Sequence, residues 1–267
     1  MILGISGRKG HGKDTVAKII QGFDIWKRNL ALQTEYPLSN VFVRAYVLNR
    51  VSIYVSSWEV KKFASKLKEI VSILTGFTIE DLEKEEIKNT NLFLSYKLLN
   101  KKANTFEIFA SMEDLVERLN HLRTVYLDVY SAEEVNDLFV QETIYVTPRL
   151  LLQTIGTDIV RTINPDIWVN SLMNDYISYA DAINGTSKIK KLYPNWCITD
   201  VRFPNEVKAI KKKDGIVIRI NRESAYNSTH SSETALDDYE DFDYTIDNNN
   251  CIDCLIEKVK EILKHEK

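Results

Sequence analysis

Short apolar runs alternate along this chain with stretches of helical spacing. The run ILGIS at 2–6 predicts a buried strand, and apolar residues then recur at helical spacing from Val16 to Phe23. Further along, NWCIT and IVIRI predict two more buried strands, with a helix between them that stops at Asp214-Gly215. DYTIDN is a further candidate strand, and IDCLIEKVKEIL predicts an amphipathic closing helix. This alternation predicts an α/β protein with a parallel sheet covered on both faces.

The middle of the chain gives shorter signals. VFVRAYV and VSIYVSS are typical of two strands around LNR, and VKKFASKLKEIVSILTG begins extended and turns helical until Gly76. SMEDLVERL and SAEEVNDLF predict short helices capped by serine. Thr147-Pro148 and Asn164-Pro165 predict the starts of two helices, over 148–163 and 165–183.

Composition limits the class of protein. The 267 residues carry a formal net charge of -3, which excludes a global basic field for nucleic acid. Cys251 and Cys254 have CxxC spacing but no second pair, so a structural zinc site is not expected and the spacing is attributed to chance at the start of the last helix. The chain shows neither a signal peptide nor an apolar membrane span. We expect a cytoplasmic protein with no membrane and no nucleic-acid partner.

The segment GISGRKGHGKDT at 4–15 satisfies the first seven positions of the phosphate-binding P-loop pattern. Its glycines let backbone N–H groups turn toward phosphate oxygens, and the following helix adds its positive N-terminus. Lys13 is expected to reach the β and γ phosphates of ATP. Asp14 stands where the usual pattern has serine or threonine, and the hydroxyl follows at Thr15. The predicted ATP-binding residues are Gly7, Gly10, Gly12, Lys13, Asp14 and Thr15.

The loop of the nucleoside monophosphate kinases has the order Gly-Lys-any residue-Thr, which this sequence resembles. The resemblance implies that Thr15 is the protein ligand of Mg²⁺. More narrowly, GRKGHGKDT resembles the loop of the deoxynucleoside monophosphate kinases of bacteriophages and other DNA viruses. FASKLKEI, TPRLLLQTIGTDIVRTINPDIW, ITDVRFPNEVKAI and HSSETALDDYEDFDYTIDNN are similar to that family too, and together these segments cover about half of the chain.

The resemblance implies a three-layer α/β/α P-loop fold with a parallel central sheet, similar to adenylate kinase. It implies one kinase domain over 1–267, with insertions at 24–57 and 89–146. The implied activity transfers the γ-phosphoryl group of MgATP to a deoxynucleoside monophosphate. ATP and Mg²⁺ are the implied cofactors, the host cytoplasm is the implied location of a viral enzyme, and a homodimer is left open.

Transfer between two nucleotides gathers negative charge, so it needs fixed cations at the acceptor as well as at the donor. ITDVR brings Asp200 and Arg202 to the carboxyl edge of the sheet, where the P-loop also lies. We therefore expect Lys13, Asp200 and Arg202 to be catalytic. The acceptor is expected between the helix that carries Arg149 and the loop 200–206. The predicted substrate-binding residues are Arg149, Gln153, Gly156, Thr157, Arg161, Trp168, Asp200, Arg202 and Glu206.

Several of these residues also have purely structural interpretations. The two helical arginines fit solvated positions, and Gly156 suits close approach of either a ligand or another chain segment. Trp168 fits the core as well as the acceptor base, although the resemblance favours the site. Glu206 is compatible with three roles: it holds Arg202, it binds a sugar hydroxyl, or it is a solvated acid in the first turn of a helix. His230 and Glu233 shape either the nucleotide pocket or only a loop.

Two other functions compete with the nucleotide kinase. Phosphomevalonate kinases of the animal type and dephospho-coenzyme A kinases share a P-loop core, but LLQTIGTD and PDIW favour a nucleotide acceptor. A P-loop ATPase or switch usually ends a strand with Asp-Glu, whose second acid polarises water. Here the strand ends CITDVR, with arginine where such an acid would be useful.

Overall fold

The computed structural model describes residues 1–51, 54–182, 189–223 and 231–265. The chain divides into two compact units, Met1–Lys66 with Val160–Lys267, and Leu67–Ile159. The first unit carries the glycine-rich loop and the strands predicted at both ends of the chain. The second unit contains most of the segment that the sequence left without a motif.

The strands in chain order are β1 (Ile2–Ser6), β2 (Trp58–Lys61), β3 (Phe93–Asn100), β4 (Thr105–Phe109), β5 (Phe139–Val146), β6 (Tyr179–Ala182), β7 (Ile189–Leu192), β8 (Asn195–Val201), β9 (Ile216–Asn221) and β10 (Tyr244–Asp247). The helices are α1 (Lys13–Arg28), α2 (Leu30–Glu35), α3 (Ser39–Val47), α4 (Ser65–Thr75), α5 (Glu85–Lys88), α6 (Met112–Tyr126), α7 (Ala132–Leu138), α8 (Pro148–Gln153), α9 (Val160–Ile163), α10 (Ile167–Met173), α11 (Pro204–Lys211), α12 (Ser231–Thr234) and α13 (Ile252–His265). A 3-10 turn (Asp81–Glu83) precedes α5, and a π-helical segment (Thr154–Ile159) joins α8 to α9.

The first unit is built on a five-stranded sheet in the order β10-β9-β1-β8-β2, and every pair in it is parallel. The central strand β1 is buried along its whole length because helices cover both faces. Leu3 and Ile5 join a core with α1 and α13, whereas Gly4 faces Ile210 of α11 on the other side. The predicted α/β architecture with a parallel central sheet is confirmed.

One element of the first unit differs from its prediction. VFVRAYV, predicted as a strand, lies in helix α3. Phe42 and Val43 are fully buried, and a Cβ at Gly22 of α1 would lie 3.3 Å from side-chain atoms of Val43 and of Tyr46. The apolar positions therefore serve one helical face, and tertiary packing overrides the strand preference of aromatic and β-branched residues. The second predicted strand, VSIYVSS, is not a strand at its described residues, 51 and 54–57; residues 52 and 53 lie outside the described ranges.

The two helices predicted over 148–183 are also shorter than expected. The first begins at Pro148, and the Thr147 hydroxyl accepts the Leu150 N–H at 3.1 Å as its cap, but it is interrupted by the π-helical segment. The second is α10, which ends at Met173. Beyond its end, the ring of Tyr176 packs edge-on against Trp196, with 4.9 Å between the ring centroids. Residues 179–182 then form β6, antiparallel to β7.

The second unit contains an antiparallel sheet in the order β4-β3-β5. Helices α6 and α7 begin after Ser111 and Ser131, whose hydroxyls accept N–H groups of the first turn, as the sequence predicts. Leu98 of the sheet packs with Leu115, Leu119 and neighbouring apolar residues in a separate small core. This unit has its own core and is contiguous in sequence.

Across the described ranges, no helix combines the length and apolar character needed to cross a membrane.

Candidate active site

The glycine-rich loop joins β1 to α1. Gly10 and Gly12 have φ angles of 81° and 99°, which glycine adopts readily. Gly12 caps α1, and a Cβ there would lie 2.7 Å from the Asn248 Nδ2 atom. That amide donates to the His11 carbonyl at 2.9 Å. The loop therefore needs glycine both for its turn and for the close approach of the residue that follows β10.

Lys13 folds back over the glycine-rich loop. Its Nζ atom donates to the Gly7 carbonyl at 2.6 Å and to the Arg8 carbonyl at 2.9 Å. Burial, together with the positive charge of Arg202, lowers the pKa of Lys13 to about 8. The ammonium group is held by neutral carbonyls in a poorly solvated position. This setting strongly favours the binding of an anionic ligand.

Asp14 and Thr15 lie in the first turn of α1. Asp14 is exposed, and Thr15 is half-buried. The hydroxyl predicted for the metal therefore belongs to the same helical turn as Lys13, where the helix N-terminus adds positive potential.

Asp200 lies at the carboxyl end of β8, next to the central strand. Its two carboxylate oxygens accept the backbone N–H groups of Phe63 at 2.8 Å and Ala64 at 2.9 Å. These amides precede α4, so Asp200 positions the segment that leads from β2 into that helix. The contact was not predicted, because the two segments are 136 or more residues apart in the chain.

Arg202 and Glu233 form an ion pair beside the glycine-rich loop. The Arg202 Nη1 atom also donates to the Ser232 carbonyl at 3.1 Å, and the second oxygen of Glu233 accepts the Lys9 N–H at 3.1 Å. Burial opposes the charged form of Glu233, but Arg202 and the Lys9 N–H outweigh it and lower the pKa of this carboxyl. One carboxylate thus connects the predicted catalytic arginine to the loop.

Asp237 makes a second connection of the same kind. Its carboxylate accepts hydrogen bonds from Arg8 Nη2 at 2.5 Å and Arg8 Nε at 3.2 Å. It also accepts one from Arg219 Nη2 at 3.2 Å. Arg219, on β9, also donates to the Ser6 hydroxyl at 3.1 Å. The hydrogen bonds from Arg8 and the charges of both arginines lower the pKa of Asp237. The segment around α12 therefore holds the loop through two acids.

Sequence reasoning missed Arg8, Arg219 and Asp237, and it left the role of Glu233 open. The partners of each pair are distant in sequence; Arg8 and Asp237, for example, are 229 positions apart. The usable signal was the spacing in ETALDD, where two acids stand four residues apart within a segment similar to the viral kinases. His230 lies outside the described residues.

Glu206 is buried, with 1% of its surface exposed. It accepts Arg161 Nη2 at 2.5 Å and the backbone N–H groups of Arg202 at 2.7 Å and Phe203 at 3.1 Å. Arg161 also lies 3.8 Å over the Phe203 ring. Burial and nearby Asp200 raise the pKa of Glu206 to about 7, although Arg161 acts to lower it. The interpretation of Glu206 as a solvated first-turn acid is wrong, because the carboxylate fixes the loop that carries Arg202.

The segment before α10 is tied to the same loop. The Asn205 amide donates to the Pro165 carbonyl at 2.9 Å and to Asp166 Oδ1 at 2.8 Å. Trp168 follows on α10 and is 5% exposed. Its burial agrees with the interpretation of this ring as part of the core.

The other predicted substrate residues lie in the second unit. Arg149 donates through Nε to the Asn89 side chain at 2.9 Å and through Nη2 to Glu85 at 2.5 Å. Gly156 is buried in the π-helical segment, and a Cβ there would overlap the Leu67 side chain. The close approach inferred for this glycine is therefore made by another chain segment. Gln153 and Thr157 are half-buried on α8 and the π-helical segment.

Within the first unit, Lys13, Asp200, Arg202, Glu206 and Arg161 belong to one region of contacts and electrostatic interactions. Across the described ranges, no group of three or more His, Cys, Asp or Glu side chains is arranged to hold a metal ion.

Comparison with known proteins shows the family of this chain. A putative deoxynucleotide monophosphate kinase of Acanthamoeba polyphaga mimivirus is 34% identical over 113 residues, which cover 40% of this chain and 56% of that protein. A deoxynucleoside-5'-monophosphate kinase of Escherichia phage T5 is 22% identical over 253 residues, which cover 88% of this chain and 85% of that protein. The sequence model of the deoxynucleotide monophosphate kinases matches residues 1–259. The chain belongs to the deoxynucleotide monophosphate kinase family, a family of phosphotransferases, as its motifs predicted.

Proposed function

We propose that this protein transfers the γ-phosphoryl group of MgATP to a deoxynucleoside 5'-monophosphate, giving the diphosphate and ADP. One observation carries the proposal: Arg202 and the P-loop meet at the carboxyl edge of the same parallel sheet, where Glu233 contacts both. Donor and acceptor phosphates both need fixed cations at the point of transfer. This edge supplies Lys13 on the donor side and a guanidinium beside it.

The reaction needs positioning and charge neutralisation more than it needs a base, because the acceptor oxygen is already anionic. Lys13 would leave the Gly7 and Arg8 carbonyls and contact the β and γ phosphates. The N–H groups at the start of α1 would bind the same phosphates. Arg202 would hold two oxygens of the transferring or acceptor phosphate, a task that suits the planar guanidinium.

Mg²⁺ would be held mainly by the phosphates of ATP, with the Thr15 hydroxyl as the protein ligand and waters as further ligands. Its chemistry is to neutralise charge on the transferring group. Thr15 fits this role because it lies in the same helical turn as Lys13. Asp14 is exposed in that turn, so its carboxylate could accept hydrogen bonds from waters bound to Mg²⁺. Asp200 already accepts two backbone N–H groups, so we assign it first to the segment before α4.

The acceptor residues divide into two groups. We propose that Glu206 and Arg161 act as positioning residues, because both are engaged with the loop that carries Arg202. Trp168 is assigned to the core because it is buried. Arg149, Gln153 and Thr157 stay predicted contacts of the acceptor nucleotide, and Gly156 is assigned to packing against Leu67.

The competing functions are less well supported. The family match favours a nucleotide acceptor over phosphomevalonate or dephospho-coenzyme A. A motor or switch would need a group that polarises water beside the γ phosphate. In this region Asp200 is bound to backbone amides and Arg202 to Glu233. The homodimer, the cytoplasmic location and the absence of a nucleic-acid partner stay predictions.

The test is an initial-rate survey with MgATP. The acceptors are dAMP, dCMP, dGMP, dTMP and the matching ribonucleotides, with phosphomevalonate and dephospho-coenzyme A as competitors. We expect ADP to form only with a nucleoside monophosphate, fastest with at least one deoxynucleotide, and not in the presence of EDTA. Turnover of ATP without acceptor that is stimulated by DNA would contradict the proposal. So would faster transfer to either non-nucleotide acceptor.

A further inference from the structure

Two exposed thiols meet at the start of the closing helix. The Sγ atoms of Cys251 and Cys254 lie 3.1 Å apart, and both residues are exposed. Cys251 immediately precedes α13, and its carbonyl accepts the Leu255 N–H at 3.3 Å. The first thiol therefore stands at the cap position of a 14-residue helix, with the second one turn further on.

This arrangement makes the two thiols unequal. The hydrogen bond from the Cys254 side chain, with help from backbone N–H groups of the first turn, lowers the pKa of Cys251. The same contact raises the pKa of Cys254. The positive end of α13 also favours a thiolate at the cap position. Cys197, in contrast, is buried in β8, and burial raises the pKa of its thiol.

Neither a metal nor packing accounts for the pair. Over the part of the chain that the structure describes, no third Cys, His, Asp or Glu completes a metal-binding group. The buried face of α13 consists of Leu255, Ile256, Val259 and Ile262, and neither cysteine belongs to it. The pair is thus accessible to small thiols and disulfides without any change in the core.

We propose that Cys251 and Cys254 form a redox-active dithiol, with Cys251 as the attacking thiolate and Cys254 as the resolving thiol. The oxidant is a low-molecular-weight disulfide such as oxidised glutathione. The Cys251 thiolate attacks one of its sulfurs, forms a mixed disulfide and releases one glutathione thiolate. Cys254 then loses its proton to solvent and attacks the Cys251 sulfur, which forms the internal disulfide and releases the second glutathione. Two electrons pass from the protein to the glutathione disulfide.

The fold supports this exchange. The spacing of three residues within one turn places the sulfurs so close that a small rotation of the side chains brings them to bonding distance. The loop closed by the bond is short, and the buried face of α13 keeps its packing against α1 and α3. Oxidation is therefore expected to leave the folded unit intact.

The test treats the full-length native protein with oxidised glutathione, followed by acid quenching, alkylation and mass spectrometry. We expect the wild type to lose two hydrogen atoms, with Cys251 and Cys254 joined and Cys197 alkylated. Cys254→Ser should stop at the mixed disulfide on Cys251. Cys251→Ser should react with oxidised glutathione at about one tenth of the wild-type rate or more slowly still, because the remaining thiol has the higher pKa. Cys197→Ser is the matched control and should behave as the wild type.

Several outcomes would overturn the proposal. One is a wild type that carries only glutathione adducts, or that stays fully reduced at every ratio of oxidised to reduced glutathione. Another is oxidation of Cys197 at the same rate as the pair. Equal reactivity of Cys251→Ser and Cys254→Ser would overturn the assignment of the attacking thiol. Circular dichroism of each oxidised sample checks that the protein stays folded.

Discussion

Glu233 holds Arg202 on one carboxylate oxygen and the backbone N–H of Lys9 on the other. The contact joins the end of β8 to the glycine-rich loop through a residue from the far end of the chain. Because an arginine side chain loses much conformational freedom when it is fixed, an acid that orients it in advance lowers the entropic cost of binding a phosphate.

The first prediction concerns this orientation. Glu233→Gln keeps the shape of the side chain but removes the charge that holds Arg202, so we expect kcat/KM for the acceptor to fall roughly 10- to 100-fold. Initial rates at saturating ATP measure the change. Glu240→Gln removes an exposed acid from the same part of the chain and is the control. A wild-type kcat/KM in Glu233→Gln would show that the ion pair serves only stability.

The second prediction uses the titration of Lys13. Its pKa in the free protein is about 8, and the phosphates of ATP would raise it, so binding of MgATP at pH 8 should take up roughly half a proton. Affinity should then fall as the pH rises through 8, because the free lysine loses its proton and must regain it. Calorimetry in buffers of different ionisation enthalpy measures the uptake.

Lys13→Arg is the matched control for this measurement. It keeps a positive charge that does not titrate in this range, so its binding of MgATP should show no proton uptake at pH 8. If the wild type and Lys13→Arg take up the same number of protons, another group is responsible and the assignment of Lys13 fails.

The third prediction concerns the geometry of Arg202. Arg202→Lys keeps the charge but loses the planar pair of donors, and we expect kcat to fall about 100-fold or more. Arg50→Lys, a change at an exposed arginine, is the control and should leave kcat unchanged. Normal turnover by Arg202→Lys would mean that the guanidinium has a structural role and that the acceptor phosphate binds elsewhere.

The fourth prediction concerns stability. Glu206→Ala removes the acceptor of three hydrogen bonds in a buried place and leaves Arg161 without its acid, so we expect a loss of about 3–5 kcal/mol in the free energy of unfolding. Glu206→Gln keeps an acceptor oxygen and should cost less, about 1–3 kcal/mol. Urea unfolding followed by tryptophan fluorescence measures both, since all four tryptophans lie in the first unit. Glu240→Ala should unfold as the wild type; a similar loss in that control would contradict the special role of Glu206.

The fifth prediction concerns the π-helical segment. Gly156→Ala places a methyl group against Leu67, so we expect it to destabilise the second unit by about 1–3 kcal/mol. Combining it with Leu67→Ala should recover part of that loss, because the larger side chain is then gone. Hydrogen exchange of residues 148–159 in both single variants and the double variant provides the measurement. Additive effects would show that the two residues do not share a contact.

The sequence predicted the parts of this protein whose signals are local. ILGIS and the glycine-rich loop, the strand NWCIT and the closing helix each carry their own periodicity, and all are present. Helix α3 was missed because its aromatic and β-branched residues locally favour a strand. Its packing against α1 at Gly22, which favours the helix, leaves no local sequence signal.

The site was predicted only in part for a similar reason. The loop motif singled out Lys13 and Thr15 as candidates, and the strand end singled out Arg202, but neither gave any sign of which acids would pair with the cations. The ion pairs of Glu233 and Asp237 join residues that only the completed fold brings together. Glu206 was expected near Arg202, and its burial depends on the packing of Arg161 and Phe203, which no local pattern records.

The order of strands has a consequence for synthesis on the ribosome. β1 is made long before its partners β8 and β9, with Ile2 beside Trp196 and Leu3 beside Ile216. The first unit therefore has a high contact order and cannot close its sheet until most of the chain has emerged. Leu67–Ile159 is contiguous and pairs strands that are close in sequence, so it can fold before β8 and β9 are available to pair with β1. The glycine-rich loop that follows β1 therefore cannot reach its final setting until β8, β9 and the segment with Glu233 have been made.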